Sequence, residues 1–207
     1  MSGDKFRMKS GDKNALVGRI NFILEADKLK TIIRNTLLTD GSRFENAAEH
    51  SWHVALAALV LFDSAPVKGM DLPRIVNMLL VHDLVEIDAG DMLCYDSVQI
   101  PVQKAKERLA AERIFNLLPD SQADMLRQLW QEFDALETPE ARFANAVDRL
   151  QPLLQAIRTE GKTWRQHRIR KDQVIERMQP IRTALPDLWG DVLEMIADAA
   201  DKGYLIK

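Results

Sequence analysis

Apolar residues recur along most of this chain at intervals of three and four, with charged positions between them, the spacing that gives a helix one buried face. Ile20, Ile23, Leu24, Leu29, Ile32 and Ile33 predict a first helix over residues 20–38. A second, over residues 47–63, contains the run "VALAALVLF" and closes before Pro66 and Gly69. Asp71 is placed to cap a third, with Pro73 in its first turn and Leu72, Ile75, Val76, Leu79 and Leu80 as its stripe. That helix is expected to end near residues 85–87, before Gly90, and residues 91–101 read as a loop. Further helices are expected over residues 104–117 and 122–136. Another opens at Thr138, followed by Pro139 and Glu140, carries Phe143, Val147, Leu150 and Leu154 inward, and stops at Gly161. The last two span about residues 171–185 and 188–201. No hairpin signal lies between alternating β-branched runs, so strands are not expected. The prediction is an all-α fold in one compact domain.

Length agrees with that, because 207 residues can bury a substantial single core. Residues 1–18 are weakly patterned and expected to fray, leaving residues 19–207 as the domain. Lys and Arg total 28 against 31 Asp and Glu, for a formal net charge of −3. That balance gives no global case for a nucleic-acid polymer or a membrane surface, while leaving room for a local positive pocket. The basic run "RQHRIRK" at residues 165–171 reads as a solvated face, and Trp52, Trp130, Trp164 and Trp189 as packing residues. The apolar runs are too short to span a bilayer, and the first residues lack a secretory pattern. With Cys94 the single cysteine, a disulfide framework within the chain is excluded and a reducing cytoplasm is the expected compartment.

Candidate chemistry starts in "LLVHDLVEIDAGD", residues 79–91, where His82, Asp83, Glu86, Asp88 and Asp91 follow an apolar run. Imidazole and carboxylate together suit a divalent transition metal. Adjacent helical residues point about 100° apart, so His82 and Asp83 need donors from other helices to share an ion. "AEHSWHVALAAL" offers His50 and His53, three apart on one face, and spacing alone does not choose between them. Asp148 lies in the largely apolar "FANAVDRLQPLL", where an unpaired carboxylate would be costly; a metal explains it slightly better than a local pair with Arg149. Glu86, one turn after His82, is placed to move a proton, and Asp91, after Gly90, to face a substrate. Asp88 needs no role beyond solvation. Arg34, in "TIIRNTLL", suits a phosphate, with Arg43 a weaker candidate.

The ordered segments "AEHSWHVALAAL", "LLVHDLVEIDAGD" and "TPEARFANAVDRLQPLL", with "EGKTW", resemble the HD-domain metal-dependent phosphohydrolases, and most closely the branch of bacterial 5'-deoxynucleotidases. The resemblance covers about residues 28–170. It implies one divalent metal held by His50, His82, Asp83 and Asp148, which leaves His53 a supporting or packing role. It also implies a proton-transferring Glu86, an Asp91 needed for activity and substrate selection, and an Arg34 engaging the substrate near its phosphate. The family carries a tryptophan after that arginine, where this chain has Asn35, so the aromatic surface for the nucleotide is missing there.

The implied activity is release of inorganic phosphate from nucleoside 5'-monophosphates, deoxyribonucleotides among them. The alternatives are another phosphoester, such as a cyclic nucleotide or a nucleoside triphosphate, or a metal- and nucleotide-binding regulator without turnover. A triphosphate would call for extra cations at the entrance, for which Lys162 and Arg165 are candidates. Four protein donors leave open positions only around a five- or six-coordinate ion, which favours cobalt, manganese or iron over tetrahedral zinc. A homodimer is expected.

Overall fold

A computed structural model describes residues 10–95 and 100–206. Among those residues are ten helices, arranged about one central helix, α7 (Pro139–Arg158), which packs against α2 (Ala47–Leu61), α3 (Leu72–Val81), α6 (Asp120–Ala135) and α9 (Lys171–Ala184). Phe143, Ala144, Ala146, Val147, Leu150, Leu153 and Ala156 of α7 are buried, so this helix is apolar on several sides as a central element must be. Val54, Ala58, Ile75, Leu79, Val174, Met178, Ile181, Val192 and Ile196 complete the main core around it. A smaller cluster gathers Leu29, Val81, Leu84, Val85, Ile114 and Phe115 beneath α5 (Ile100–Phe115). The helix α10 (Pro186–Asp201) closes the fold against α9.

Caps behave as their residue types predict. The Asp71 side chain accepts from the Arg74 amide at 3.0 Å and Thr138 from the Ala141 amide at 3.1 Å. Glu140 closes no box with Thr138; its Oε1 accepts the Asp71 amide at 3.1 Å instead, tying the start of α7 to that of α3. Gly161, with φ +64°, ends the run into α8 (Lys162–Gln166), and a Cβ there would stand 2.6 Å from that of Tyr204.

The N-terminal third departs from the sequence expectation. Helix α1 (Ser10–Ala26) starts inside the segment expected to fray; residues 1–9 of that segment lie outside the described residues. Gly18 lets the α1 backbone approach the Leu117 carbonyl, since a Cβ would stand 2.6 Å from its oxygen. The helix predicted to continue to residue 38 stops at Ala26. A 3-10 turn (Asp27–Thr31) follows, then a strand, β1 (Ile33–Leu37), antiparallel to β2 (Phe44–Asn46). Leu29, Ile32 and Ile33 mimic helical spacing, but Thr31, Ile32, Ile33 and Thr36 are β-branched and favour an extended chain. Asp40-Gly41, with Gly41 at φ +70°, makes the turn between the strands. The fold remains all-α apart from this hairpin.

Two smaller differences concern the loop and the tryptophans. Of the loop predicted over residues 91–101, 96–99 lie outside the described residues and α5 begins at Ile100. Trp130 and Trp164 are buried, whereas Trp52 is 62% exposed and does not pack inward. Among the described residues, no helix is long and apolar enough to cross a membrane.

Candidate metal centre and cleft

Three separate elements bring the predicted donors together. The capping box at Asn46 starts α2: Asn46 Oδ1 accepts the Glu49 amide at 3.0 Å, and Glu49 accepts the Asn46 amide at 3.1 Å. His50 lies one turn later and is fully buried. His82 is the C-cap of α3; the chain then turns through Leu84 and Val85 into the short α4 (Glu86–Ala89). That change of direction is what aims both His82 and Asp83 at one point. Asp148 comes from the middle of α7. Pro152, four residues on, has no amide to give the Asp148 carbonyl, and it lines the adjoining cavity.

The donor atoms of His50, His82 and Asp83 lie within 4.8 Å of one another. Asp148 Oδ1 stands 2.8 Å from His50 Nε2 and 3.5 Å from His82 Nε2, and Asp83 Oδ1 is 3.1 Å from His82 Nε2. The other ring nitrogens are committed elsewhere. His82 Nδ1 donates to the Leu79 carbonyl at 2.8 Å. His50 Nδ1 donates to Gln151 Oε1 at 3.0 Å, and the Gln151 amide in turn donates to Glu45 Oε1 at 2.9 Å, which fixes which way that glutamine points. Both Nε2 atoms therefore turn lone pairs toward carboxylate oxygens. Lone pair facing carboxylate is repulsive unless a positive charge lies between them. His82 Nε2 is buried with no hydrogen-bond partner, although two carboxylates stand nearby.

A proton or a metal ion would satisfy this arrangement. Burial pushes the His82 imidazole down, but Asp83 and Asp148 outweigh it and lift it above its ordinary value. Burial pushes the Asp148 carboxyl up, while the two histidines hold it well below the usual carboxylate range. Two imidazoles and two carboxylates, each imidazole oriented by an acceptor behind it, also form a donor set that fits a divalent transition ion.

Arg34 lies on β1, with its side chain 12% exposed. Its Nη1 donates to Asp83 Oδ2 at 3.0 Å, and Glu45 and Asp91 lie 3.7 and 3.9 Å away. Burial pulls its pKa down, but Asp83, Glu86 and Asp91 carry it upward, so the charge is fixed. Asn35 donates twice to Asp91 Oδ2, from its amide at 3.1 Å and its side chain at 3.2 Å. Gly90, at φ +75°, turns the chain so that Asp91 can reach back to β1. Burial, with Asp83 nearby, pushes the Glu86 carboxyl well above its ordinary value against the pull of Arg34; its Oε2 has no hydrogen-bond partner. Asp91 is also raised, by burial against the same arginine.

A cavity of about 220 Å³ opens on this cluster, lined by Arg34, Asn35, His82, Asp83, Glu86, Asp91 and Asp148 on one side and by Tyr95, Leu153, Trp164 and Met178 on the other. Other sequence candidates face elsewhere. Arg43 pairs with Glu49 at 2.6 Å on the surface, and Asp88 pairs with Arg113. Lys162 and Arg165 do not line the cavity; Thr163 and Trp164 between them do, and His167 and Ile169 of the stretch expected to be solvated also form part of its wall. His53 stands 3.1 Å from the Gln151 amide and backs the network without reaching the cluster. Sequence reasoning missed Glu45, Gln151 and Gln155, which carry that network.

Comparison with known proteins settles the family. An HD-domain profile matches residues 26–189, well over half of the chain. The chain belongs to the HD-domain family. The expectation of an HD-domain family member is borne out. Among relatives of this HD-domain protein, "5'-deoxynucleotidase HDDC2" of Xenopus laevis is 29% identical over 116 residues, covering 56% of each chain. The protein of the same name from Homo sapiens is 28% identical over 142 residues, 68% of each. The chain thus spans little more than half the length of the first of these relatives. A crystal structure described as a predicted metal-dependent phosphohydrolase from Magnetospirillum magnetotacticum MS-1 superposes with a TM-score of 0.87 at 44% identity, covering 94% of this chain and all of that one.

Proposed function

We propose that this HD-domain protein is a phosphomonoesterase that releases inorganic phosphate from nucleoside 5'-monophosphates, deoxyribonucleoside 5'-monophosphates included. One observation carries the reading: two imidazole lone pairs and the carboxylates of Asp83 and Asp148 converge beside a cavity that also holds Glu86 and Asp91. The names of its relatives point to the same substrate class. His50, His82, Asp83 and Asp148 would hold the ion, with cobalt, manganese or iron favoured because a cleft reaction needs open coordination positions. A divalent ion bound there supplies a water acidic enough to attack at neutral pH and a positive pole for a phosphate oxygen.

The chain's own residues supply the rest. Glu86, whose carboxyl burial and Asp83 push well above its ordinary value, gives its proton to the ester oxygen as the phosphorus–oxygen bond breaks. Its unpartnered Oε2 is free to do so. Asp91, held by Asn35, orients the sugar side. Tyr95 and Trp164 across the cavity offer an aromatic surface that Asn35 cannot. The reading also includes a cytoplasmic homodimer.

The test is a panel of nucleoside mono-, di- and triphosphates and cyclic nucleotides against manganese, cobalt, iron and zinc, with phosphate release as the readout. Release from monophosphates, lost on chelation and restored by metal, is expected. Glu86→Gln should lower kcat about 10²–10⁴-fold with metal content unchanged. Turnover confined to triphosphates or cyclic nucleotides, or a fully active Glu86→Gln, would reject the reading.

A further inference from the structure

Arg34 is poorly placed to be the main attraction for a phosphate. Its guanidinium faces Asp83, Glu45 and Asp91, and Glu45, Asp83 and Asp148 together offset the charge that Arg34 and a divalent ion would bring. A dianionic phosphate entering such a centre meets little net positive charge. Electrostatic binding needs cations not yet spent.

Two arginines meet that description. Arg149 and Arg177 line the 220 Å³ cavity, and both also line a second cavity of about 270 Å³ that shares His82, Asp83, Glu86 and Asp148 with the first. They therefore stand where the two spaces meet, next to the donor cluster. Arg149 follows Asp148 on α7, and its Nη1 donates to the Arg177 carbonyl on α9 at 2.7 Å, which anchors one guanidinium beside the other residue. Among the described residues, neither guanidinium forms an ion pair, and the Arg177 side chain makes no hydrogen bond. Arg149 Nε is buried without a partner. Two neighbouring cations without carboxylates of their own repel each other. A bound dianion turns that repulsion into attraction.

We propose that Arg149 and Arg177 form the grip for the phosphate dianion of the substrate, while Arg34 acts inward to neutralise Asp83 and Glu45. This rests on the phosphomonoesterase reading and names the residues that recognise its substrate class. The planar, permanently charged forks of two arginines suit phosphate oxygens better than a single committed one.

The experiment uses the manganese-loaded full chain and inorganic phosphate as the probe, by calorimetry, together with KM for a deoxyribonucleoside 5'-monophosphate. Arg177→Gln should weaken phosphate binding and raise KM at least about tenfold, as loss of a charge-assisted hydrogen bond predicts, with manganese affinity and melting temperature unchanged. Arg177→Lys should recover part of the loss. Arg149→Gln should act in the same direction; because it also loses the bond to the Arg177 carbonyl, Arg177→Gln decides if Arg149→Gln unfolds. Phosphate affinity and KM unchanged in Arg177→Gln overturn the grip, and so does a wild type that binds no phosphate. Phosphate binding that depends on Arg177, without turnover of any nucleotide, would support the grip and reject the phosphomonoesterase.

Discussion

Glu45 sits behind His50, 1% exposed, with Oε1 taking amide hydrogens from Gln151 and Gln155, each at 2.9 Å, and Oε2 facing Arg34 at 3.7 Å. A buried carboxylate held by two amides, with Arg34 and His50 Nδ1 3.7 and 3.6 Å from its other oxygen, is costly unless it organises something. What it organises is the tautomer of His50: the glutamine can offer its oxygen to Nδ1 only while its amide is claimed by Glu45. Glu45→Leu, which removes that acceptor, should therefore lower metal affinity about 10–100-fold while the chain stays folded. Titration of the metal-free variant with manganese or cobalt checks it, and wild-type affinity would disconnect Glu45 from the donors. This residue was hard to see in the sequence because "RFEN" looks like part of a surface connection, and its partners lie more than a hundred positions away. A faint signal existed in Gln151 and Gln155, four apart and beside Asp148 on a helix that is otherwise apolar inward. The residues of the cluster itself were legible because histidine and aspartate are conspicuous against apolar runs, although the choice of His50 over His53 needed the family resemblance.

Among the elements, those whose ends are written in local chemistry matched expectation. Asp71 and Thr138 cap α3 and α7 as their positions imply, because a cap involves residues three apart and nothing more distant. The β1–β2 hairpin was not legible, since Leu29, Ile32 and Ile33 satisfy helical spacing as well as they do a strand, and β2 has only three residues. The start of α1 was equally hidden: Leu16, Val17, Ile20, Ile23 and Leu24 are all more than 40% exposed, so no buried stripe marks it. The hairpin has a mechanical consequence for α2. Asn46 ends β2 and caps α2 at once, so one residue fixes both the strand register and the helix that presents His50. Asn46→Ala removes the side-chain acceptor of the Glu49 amide and should cost about 0.5–2 kcal/mol in urea unfolding. An Asn46→Asp variant keeps that acceptor and should lose much less. Equal losses in the two variants would mean that the cap is not what holds the junction.

At the scale of the whole molecule, α2 divides its surface between two tasks. His50, Val54 and Ala58 recur on the inward face toward α7, while Trp52, Leu56, Leu59 and Val60 recur on the outward one, from 42% to 74% exposed. Single exposed leucines are ordinary, but a tryptophan and three aliphatic residues in one stripe are what interfaces are made of. With a nearly balanced net charge, little long-range repulsion would keep two such faces apart. A second copy of the chain meeting through a twofold axis would cover both stripes at once, because each face then meets its own equivalent. Sedimentation velocity at micromolar concentration should accordingly give a dimer. Leu56→Lys combined with Val60→Lys should shift it to the monomer, with the helix content unchanged. Each lysine would have to bury its charge against apolar residues of the other copy, a cost the monomer avoids. A wild type that sediments as a monomer across the accessible range would rule out the assembly and leave the stripe unexplained. A doubly substituted chain that stays dimeric would move the interface elsewhere on the surface.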